Sequence, residues 1–198
     1  MGAGPEFGLR PVPQTRQVEC RYKPRKTLRS LASDKNGVIW FAGYGGGLYY
    51  TEDRFANVKP FLDADGREIY PKDIISCICL SDYNEMYLGL EEQGVAKLDL
   101  VTGTVTRLQL SDNPAAPLFV RHILQYSPDE LWIGTESGIV VYNIRTRRYQ
   151  HLKSSPYDPY SLSDNAVYSL CKDREGGLWI GSFFGGINYL PQRNSDFE

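Results

Sequence analysis

Apolar residues along the chain fall in short runs closed by polar turns, and the whole arrangement recurs. The runs IWFAG (Ile39 to Gly43), MYLG (Met86 to Gly89), LWIGT (Leu131 to Thr135) and LWIGS (Leu178 to Ser182) carry one aromatic anchor each: Trp40, Tyr87, Trp132 and Trp179. These anchors stand 47, 45 and 47 residues apart, a period that belongs to propeller blades or to helical arrays. The twelve residues before each anchor read LRSLASDKNGVI, ISCICLSDYNEM, VRHILQYSPDEL and VYSLCKDREGGL, an apolar run followed by a polar turn. Turns such as D-K-N-G and D-R-E-G place Asp, Asn and Gly where the backbone must reverse, so the flanking runs predict a hairpin. After each anchor comes a loop and then a glycine, Gly47, Gly94, Gly138 or Gly186, followed by a third run such as GVAKLD or GIVVYN. Thr102 to Leu108 and Arg145 to Leu152 add a turn and a more polar segment that suits an outer edge strand.

Four strands in a unit of about 46 residues, with no helical period and an inner strand more apolar than the outer one, predict an all-β fold of β-propeller blades. Each blade is a four-stranded antiparallel meander. The blades are placed near residues 28–62, 73–110, 119–152 and 166–198, the last incomplete because few residues follow Leu190. Residues 1–27 read as a linker or a cloning remnant, and 28–198 as the propeller. Closed propellers have roughly four to eight blades and often complete one blade from both termini, for which Cys20 to Tyr22 is the available segment. The blade length is that of larger, seven-bladed propellers. The expectation is therefore an open arc, or a fragment of a larger propeller, that self-associates through open blade edges because its end units lack caps.

Of the 198 residues 41% are hydrophobic, enough for a core, and 23% are charged. A net charge of −2 supplies no basic field, which argues against nucleic acid and against an anionic membrane surface as partners. No run of about 18 apolar residues is present, so direct membrane insertion of this chain is not expected. Cys20, Cys77, Cys79 and Cys171 have no C-x-x-C spacing, and His122 and His151 do not complete a zinc set. Free buried thiols, no metal and no cofactor are expected. An enzyme is not expected either. The stretch Gly43 to Gly47 lacks the Lys-Ser or Lys-Thr of a phosphate loop, and there is no G-x-S-x-G elbow. SDKNGVIW misses the sialidase Asp-box, S-x-D-x-G-x-x-W, because Lys35 occupies the Asp place.

The repeat D-x-x-G-x-L/I-W-I/F-G/A, followed by G-G-L/I, an aromatic residue and often T-G, resembles the two-component regulator propeller repeat. Ser161 to Leu170, SLSDNAVYSL, is similar to the S-L-S-x-N-x-V-x-S-I/L stretch that opens blades in that family, with Pro156 to Pro159 as a proline-rich lead-in. Blades one and four match best. Blade two has Ser81 and Asn84 in the Asp and Gly places and Tyr87 for Trp, and blade three has Tyr126 and Asp129 there. The likeness runs from about Leu28 to Leu190. It implies the periplasmic sensor region of a hybrid two-component histidine kinase that perceives oligosaccharides from polysaccharide breakdown. It also implies that histidine kinase activity lies in regions other than this chain. The periplasmic location comes from the resemblance, since the visible N-terminus carries no export signal. The alternative is a protein-interaction or oligomerisation propeller without a small ligand.

In a four-stranded meander the loops between the second and third strands share one rim, where a rigid scaffold presents binding residues. They carry Tyr44, Glu91, Glu92, Gln93, Glu136, Ser137, Phe183 and Phe184. Flat aromatics beside hydrogen-bonding groups suit a sugar, whose C–H faces stack on rings while its hydroxyls donate to carboxylates. Arg29, Ser76, Arg121 and Tyr168 share one register on the inner strands and are expected to line the central channel. The arginines either make it locally positive, which suits an acidic sugar, or pair with nearby acids. His122 reads as an inner-strand residue with its hydrogen bonds met. Trp40, Tyr87, Trp132 and Trp179 are read as structural repeat anchors, the tryptophans as core. No catalytic residue is assigned.

Overall fold

The computed structural model describes residues 27–192 apart from 82, 114 and 115, so the segments 1–26 and 193–198, Cys20 included, lie outside the described residues. Every regular element among the described residues is a strand. Blade 1 comprises β1 (Leu28–Ser33), β2 (Ile39–Gly43), β3 (Leu48–Thr51) and β4 (Lys59–Pro60). Blade 2 comprises β5 (Ile75–Leu80), β6 (Glu85–Leu90), β7 (Gly94–Asp99) and β8 (Val105–Arg107). Blade 3 comprises β9 (Val120–Ser127), β10 (Glu130–Thr135), β11 (Gly138–Asn143) and β12 (Tyr149–Leu152). Blade 4 shows three strands among the described residues, β13 (Val167–Lys172), β14 (Leu178–Ser182) and β15 (Ile187–Leu190). Each set forms one sheet with its strands in chain order. The inner strands β1, β5, β9 and β13 pack each on the next, which is the blade arrangement of a β-propeller.

The turn between the first two strands follows from the D-x-x-G-x-L-W pattern. In blade 1 Asp34 Oδ1 accepts the backbone N–H groups of Asn36 (2.9 Å) and Val38 (3.0 Å), and Oδ2 accepts the Trp40 indole N–H at 3.2 Å. Asp173 repeats this in blade 4 with Glu175 (3.0 Å), Gly177 (2.7 Å) and Trp179 (3.0 Å). Desolvation pushes the Asp173 carboxyl up, but these bonds outweigh it and hold the group below its usual range. Gly37 and Gly176 take φ of +82° and +87°, and Asn84 holds the same place in blade 2 at +58°. Blades 2 and 3 lack the Asp, and a glutamate two residues before the anchor holds the ring instead. Glu85 accepts from the Tyr87 hydroxyl at 3.3 Å, and Glu130 accepts from the Trp132 indole.

Successive strand residues face opposite sides, so each blade offers one apolar face to the blade before it and another to the blade after. Trp40, Ala42 and Leu48 meet Ile75, Ile78, Met86 and Leu88 of blade 2. Cys77, Tyr87 and Val95, on the other face of blade 2, meet Val120, Ile123, Leu131 and Ile133 of blade 3. Trp132 and Ile139 in turn meet Val167, Leu170, Leu178 and Ile180 of blade 4. The reading of every tryptophan as core fails at Trp179, which is nearly half exposed because its face of blade 4 is uncovered among the described residues. Cys171 departs from the buried-thiol expectation for the same reason: it is exposed, opposite Trp179 in the β13–β14 ladder.

Every inner strand carries a β-bulge at one place, where the register skips Arg29, Ser76, Arg121 and Tyr168. The residue after each bulge, Ser30, Cys77, His122 or Ser169, stands opposite Ala42, Gly89, Gly134 or Gly181. A side chain there has little room: a Cβ at Gly89 would lie 2.4 Å from Cys77 Sγ. These post-bulge residues also tie blade to blade. Ser30 Oγ accepts the backbone N–H of Ile78 at 3.0 Å, and His122 Nδ1 accepts that of Leu170 at 2.8 Å. Burial pushes the Cys77 thiol up to about 12, so at the same position the sulfur stays a protonated, buried thiol.

Asp34→Ala removes a turn closure and an indole anchor together. It is expected to cost about 1–3 kcal/mol, read as a lower urea midpoint at unchanged slope. His122 yields a pH prediction, because Nδ1 must stay unprotonated to accept and burial lowers the pKa of this imidazole. As pH falls the unfolded chain takes up the proton first, so stability rises with pH. The contribution is complete above about pH 6.5 and is lost as pH falls from there through the lower folded pKa. His122→Ser installs the residue of blades 1 and 4 and is expected to flatten thermal melting midpoints between about pH 7 and 5. Identical slopes for the two proteins would remove His122 as the source.

Candidate functional site

A bulged residue leaves the ladder, and its side chain is re-aimed relative to its neighbours. At Arg121 and Tyr168 the result is a cluster that draws on three blades. Arg121 Nε donates to Glu136 Oε1 at 3.0 Å, and Nη2 reaches the same oxygen. Arg121 Nη1 lies 3.7 Å from Glu91 Oε1. Tyr168 Oη donates to Glu136 Oε1 at 3.2 Å, and its ring centre is 5.2 Å from the Arg121 guanidinium carbon. Phe183 extends the aromatic run 5.2 Å from Tyr168, and Phe184 meets Phe183 edge-on at 4.5 Å. The rings of Phe183 and Phe184 are open to solvent while their loop is held: Phe183 N donates to Ala166 O (2.8 Å) and Phe184 N to Asp164 Oδ2 (3.1 Å).

The electrostatics of the cluster lean negative, since one guanidinium meets two carboxylates. The hydrogen bonds from Arg121 hold the Glu136 carboxyl below the usual range, so it is ionised at neutral pH. Of the two expectations for Arg121, a locally positive channel and pairing with acids, the geometry shows pairing. Arg29 forms a separate pair in blade 1, where Nη1 donates to Tyr44 Oη at 2.7 Å and the guanidinium sits 5.0 Å from that ring's centre.

The expectation that Ser76 lines the channel is not met. Its side chain is buried, with Oγ 2.6 Å from Val120 O and 3.0 Å from Gly89 O, because a short hydroxyl at the bulge can reach the backbone of the next blade. Gln93 Nε2 donates to Asp73 Oδ1 at 2.7 Å, Ser137 N donates to Thr135 Oγ1 at 3.0 Å, and Glu92 is exposed on the loop beside Glu91. The structure thus gathers Glu91, Arg121, Glu136, Tyr168, Phe183 and Phe184, and leaves Arg29 with Tyr44 as a second pair. Sequence reasoning missed Asp164, which fixes the Phe184 backbone. Its signal was the D-N pair inside SLSDNAV. Chemically, the cluster offers aromatic faces for stacking and ionised carboxylates that accept hydrogen bonds. His122 is not part of it, its Nδ1 being committed to Leu170.

Residues 161–184, which span the entry to blade 4, β13, β14 and the loop with both phenylalanines, match the family described as two component regulator propeller. Over 175 residues the chain is 26% identical to histidine kinase P4 of Formosa agariphila, covering 85% of this chain and 12% of that protein. Among solved structures it is similar to the extracellular domain of a hybrid two component system from B. thetaiotaomicron. The TM-score is 0.65 at 20% identity, over 89% of this chain and 22% of the other. PorZ, a surface component of the type-IX secretion system of Porphyromonas gingivalis, has a TM-score of 0.62 at 16% identity, over 84% of this chain and 26% of its own. At these identities the likeness to solved structures is one of fold, and the chain spans a small part of each relative. Residues 161–184 thus match the two component regulator propeller repeat, within four β-propeller blades among the described residues.

Proposed function

We propose that this chain is the ligand-recognising propeller segment of an extracytoplasmic sensor in a two-component system, and that its ligand is an oligosaccharide. The repeat family, the histidine kinase relative and the extracellular domain that shares the fold support the signalling context and the periplasmic location. The observation that carries the ligand class is the rim cluster, in which the exposed Phe183 and Phe184 rings lie beside Tyr168, Glu136 and Glu91. Rings cover the C–H face of a pyranose, and ionised carboxylates accept from its hydroxyls. Because the carboxylates outnumber the single guanidinium, a neutral sugar suits the site better than an acidic one. The role assigned to these residues is recognition, and kinase chemistry is assigned to other sequence.

Titration of the chain with neutral and uronic-acid oligosaccharides by calorimetry tests the reading. A neutral oligosaccharide is expected to bind, and Phe183→Ala to weaken it about 2- to 12-fold, the loss of an aromatic contact of roughly 0.5–1.5 kcal/mol. Affinity unchanged in both Phe183→Ala and Phe184→Ala would move the site elsewhere. Binding confined to acidic sugars would overturn the charge argument, and silence across the panel would overturn the ligand class.

A further inference from the structure

Each blade presents two residues at the same end of its inner strand: the bulged residue and the first residue of the loop after the second strand. The loop residues are Tyr44, Glu91, Glu136 and Phe183, and one kind of bond fixes all four. Their backbone N–H groups donate to the carbonyls of Thr27 (2.9 Å), Ile74 (3.1 Å), Phe119 (3.2 Å) and Ala166 (2.8 Å), each two residues before the bulged position. Bulged and loop residue meet within one blade as Arg29 with Tyr44, Arg121 with Glu136, and Tyr168 with Phe183. Blade 2 differs. Ser76 turns inward, and Glu91 faces Arg121 of blade 3 instead, at 3.7 Å.

Beside Glu91 a recess of about 240 Å³ opens between the chain that enters blade 2 and the loop after β6. Lys72, Asp73, Glu91 and Gln93 give it polar groups, and Ile74 and Leu90 an apolar part. Gln93 Nε2 donates to Asp73 Oδ1 at 2.7 Å, which ties the two walls together. Lys72 is exposed and its ammonium brings three donors, while the carboxylate of Glu91 brings acceptors. Pockets for drug-sized ligands start at about 300 Å³, so this space suits one small polar ring. Glu91 belongs both to the recess and to the rim cluster. From there the contacts run on without a break, since Arg121 lies 5.2 Å from the Tyr168 ring, Tyr168 5.2 Å from Phe183, and Phe183 4.5 Å from Phe184. A pyranose is comparable in width to one of these rings and cannot touch both ends of the series.

We infer that this recess is a second sugar subsite of the rim, so that the site takes a neutral oligosaccharide of two or more linked units lying across blades 2 to 4. One unit stacks on Phe183 and Phe184, and a further unit sits in the recess, where Lys72 donates to its oxygens and Glu91 accepts from its hydroxyls. Asp73 and Gln93 shape the wall, and Arg121 holds the carboxylates between the two units in place. The inference rests on the sugar reading of the rim and adds to it a minimum length and a set of residues that only longer ligands reach.

The test is calorimetric titration of the chain with size series, monosaccharide to hexasaccharide, prepared from β-1,3-glucan, β-1,4-xylan and β-1,4-mannan. Within the series that binds, affinity is expected to rise with length until the recess is reached and then to level off. Lys72→Ala, at an exposed position, is expected to leave the melting midpoint and the short sugars unchanged and to weaken the longer ones about 2- to 12-fold, the loss of one hydrogen bond. Gln93→Ala repeats the test from the opposite wall. Phe183→Ala, in contrast, is expected to weaken every length that binds. Equal affinity from monosaccharide to hexasaccharide would overturn the inference while leaving the sugar reading intact. So would longer sugars that bind normally to both Lys72→Ala and Gln93→Ala, or a Lys72→Ala variant that weakens all lengths alike. Silence at every length in all three series would instead remove the sugar reading, and the second subsite with it.

Discussion

A single meander cannot bury either of its own faces, and every other feature of this chain rests on setting one apolar sheet against the next. Burial is worth about 25 cal/mol per Å² of apolar surface, and in a blade nearly all of it comes from neighbours. The three clusters from Trp40 to Ile180 are thus three seams, with each central blade belonging to two of them. The post-bulge residues help fix the spacing at the seams, since Ser30 and His122 each accept one backbone N–H of the following inner strand and Cys77 is buried at the same place in the seam between them. A hydroxyl and an imidazole fill one role because the role asks only for an acceptor at that point.

Much of this was legible in the sequence because much of it is local. The hairpin turns show themselves in Asp34-x-x-Gly37 and Asp173-x-x-Gly176, where a carboxylate and a glycine settle the backbone within a few residues. Period, strand order and anchor positions follow from these turns. The exposure of Trp179 was not legible, because its Asp-x-x-Gly turn and indole anchor repeat those of the buried Trp40 and the difference lies in whether another blade covers it. The inward turn of Ser76 was hidden for a similar reason, since its partner Val120 is 44 residues away.

The rim was half legible. Loop position identified Glu91, Glu136, Phe183 and Phe184, and inner-strand register identified Arg121 and Tyr168. Their mutual contacts depend on how three blades sit side by side, which no single repeat encodes. The pairing changes the electrostatic sense of the site: an arginine that alone suits an anion becomes, between Glu91 and Glu136, the brace that orients two carboxylates. Tyr168 extends that brace towards Phe183, so the charged and aromatic portions form one continuous surface.

The bulge in each inner strand has a consequence for how such a protein can change over generations. A residue excluded from the ladder has no cross-strand partner to satisfy, so its identity can drift while the sheet around it stays fixed. Here that one place holds Arg29, Ser76, Arg121 and Tyr168 in successive blades, while the residues opposite the following position are confined to Ala42, Gly89, Gly134 and Gly181. The fold thereby separates a frame fixed by close packing from a place whose side chain differs from blade to blade, and at Arg121 and Tyr168 that place contributes to the rim cluster. One backbone irregularity thus serves two ends, joining blade to blade through Ser76 and building a charged and aromatic surface through Arg121 and Tyr168.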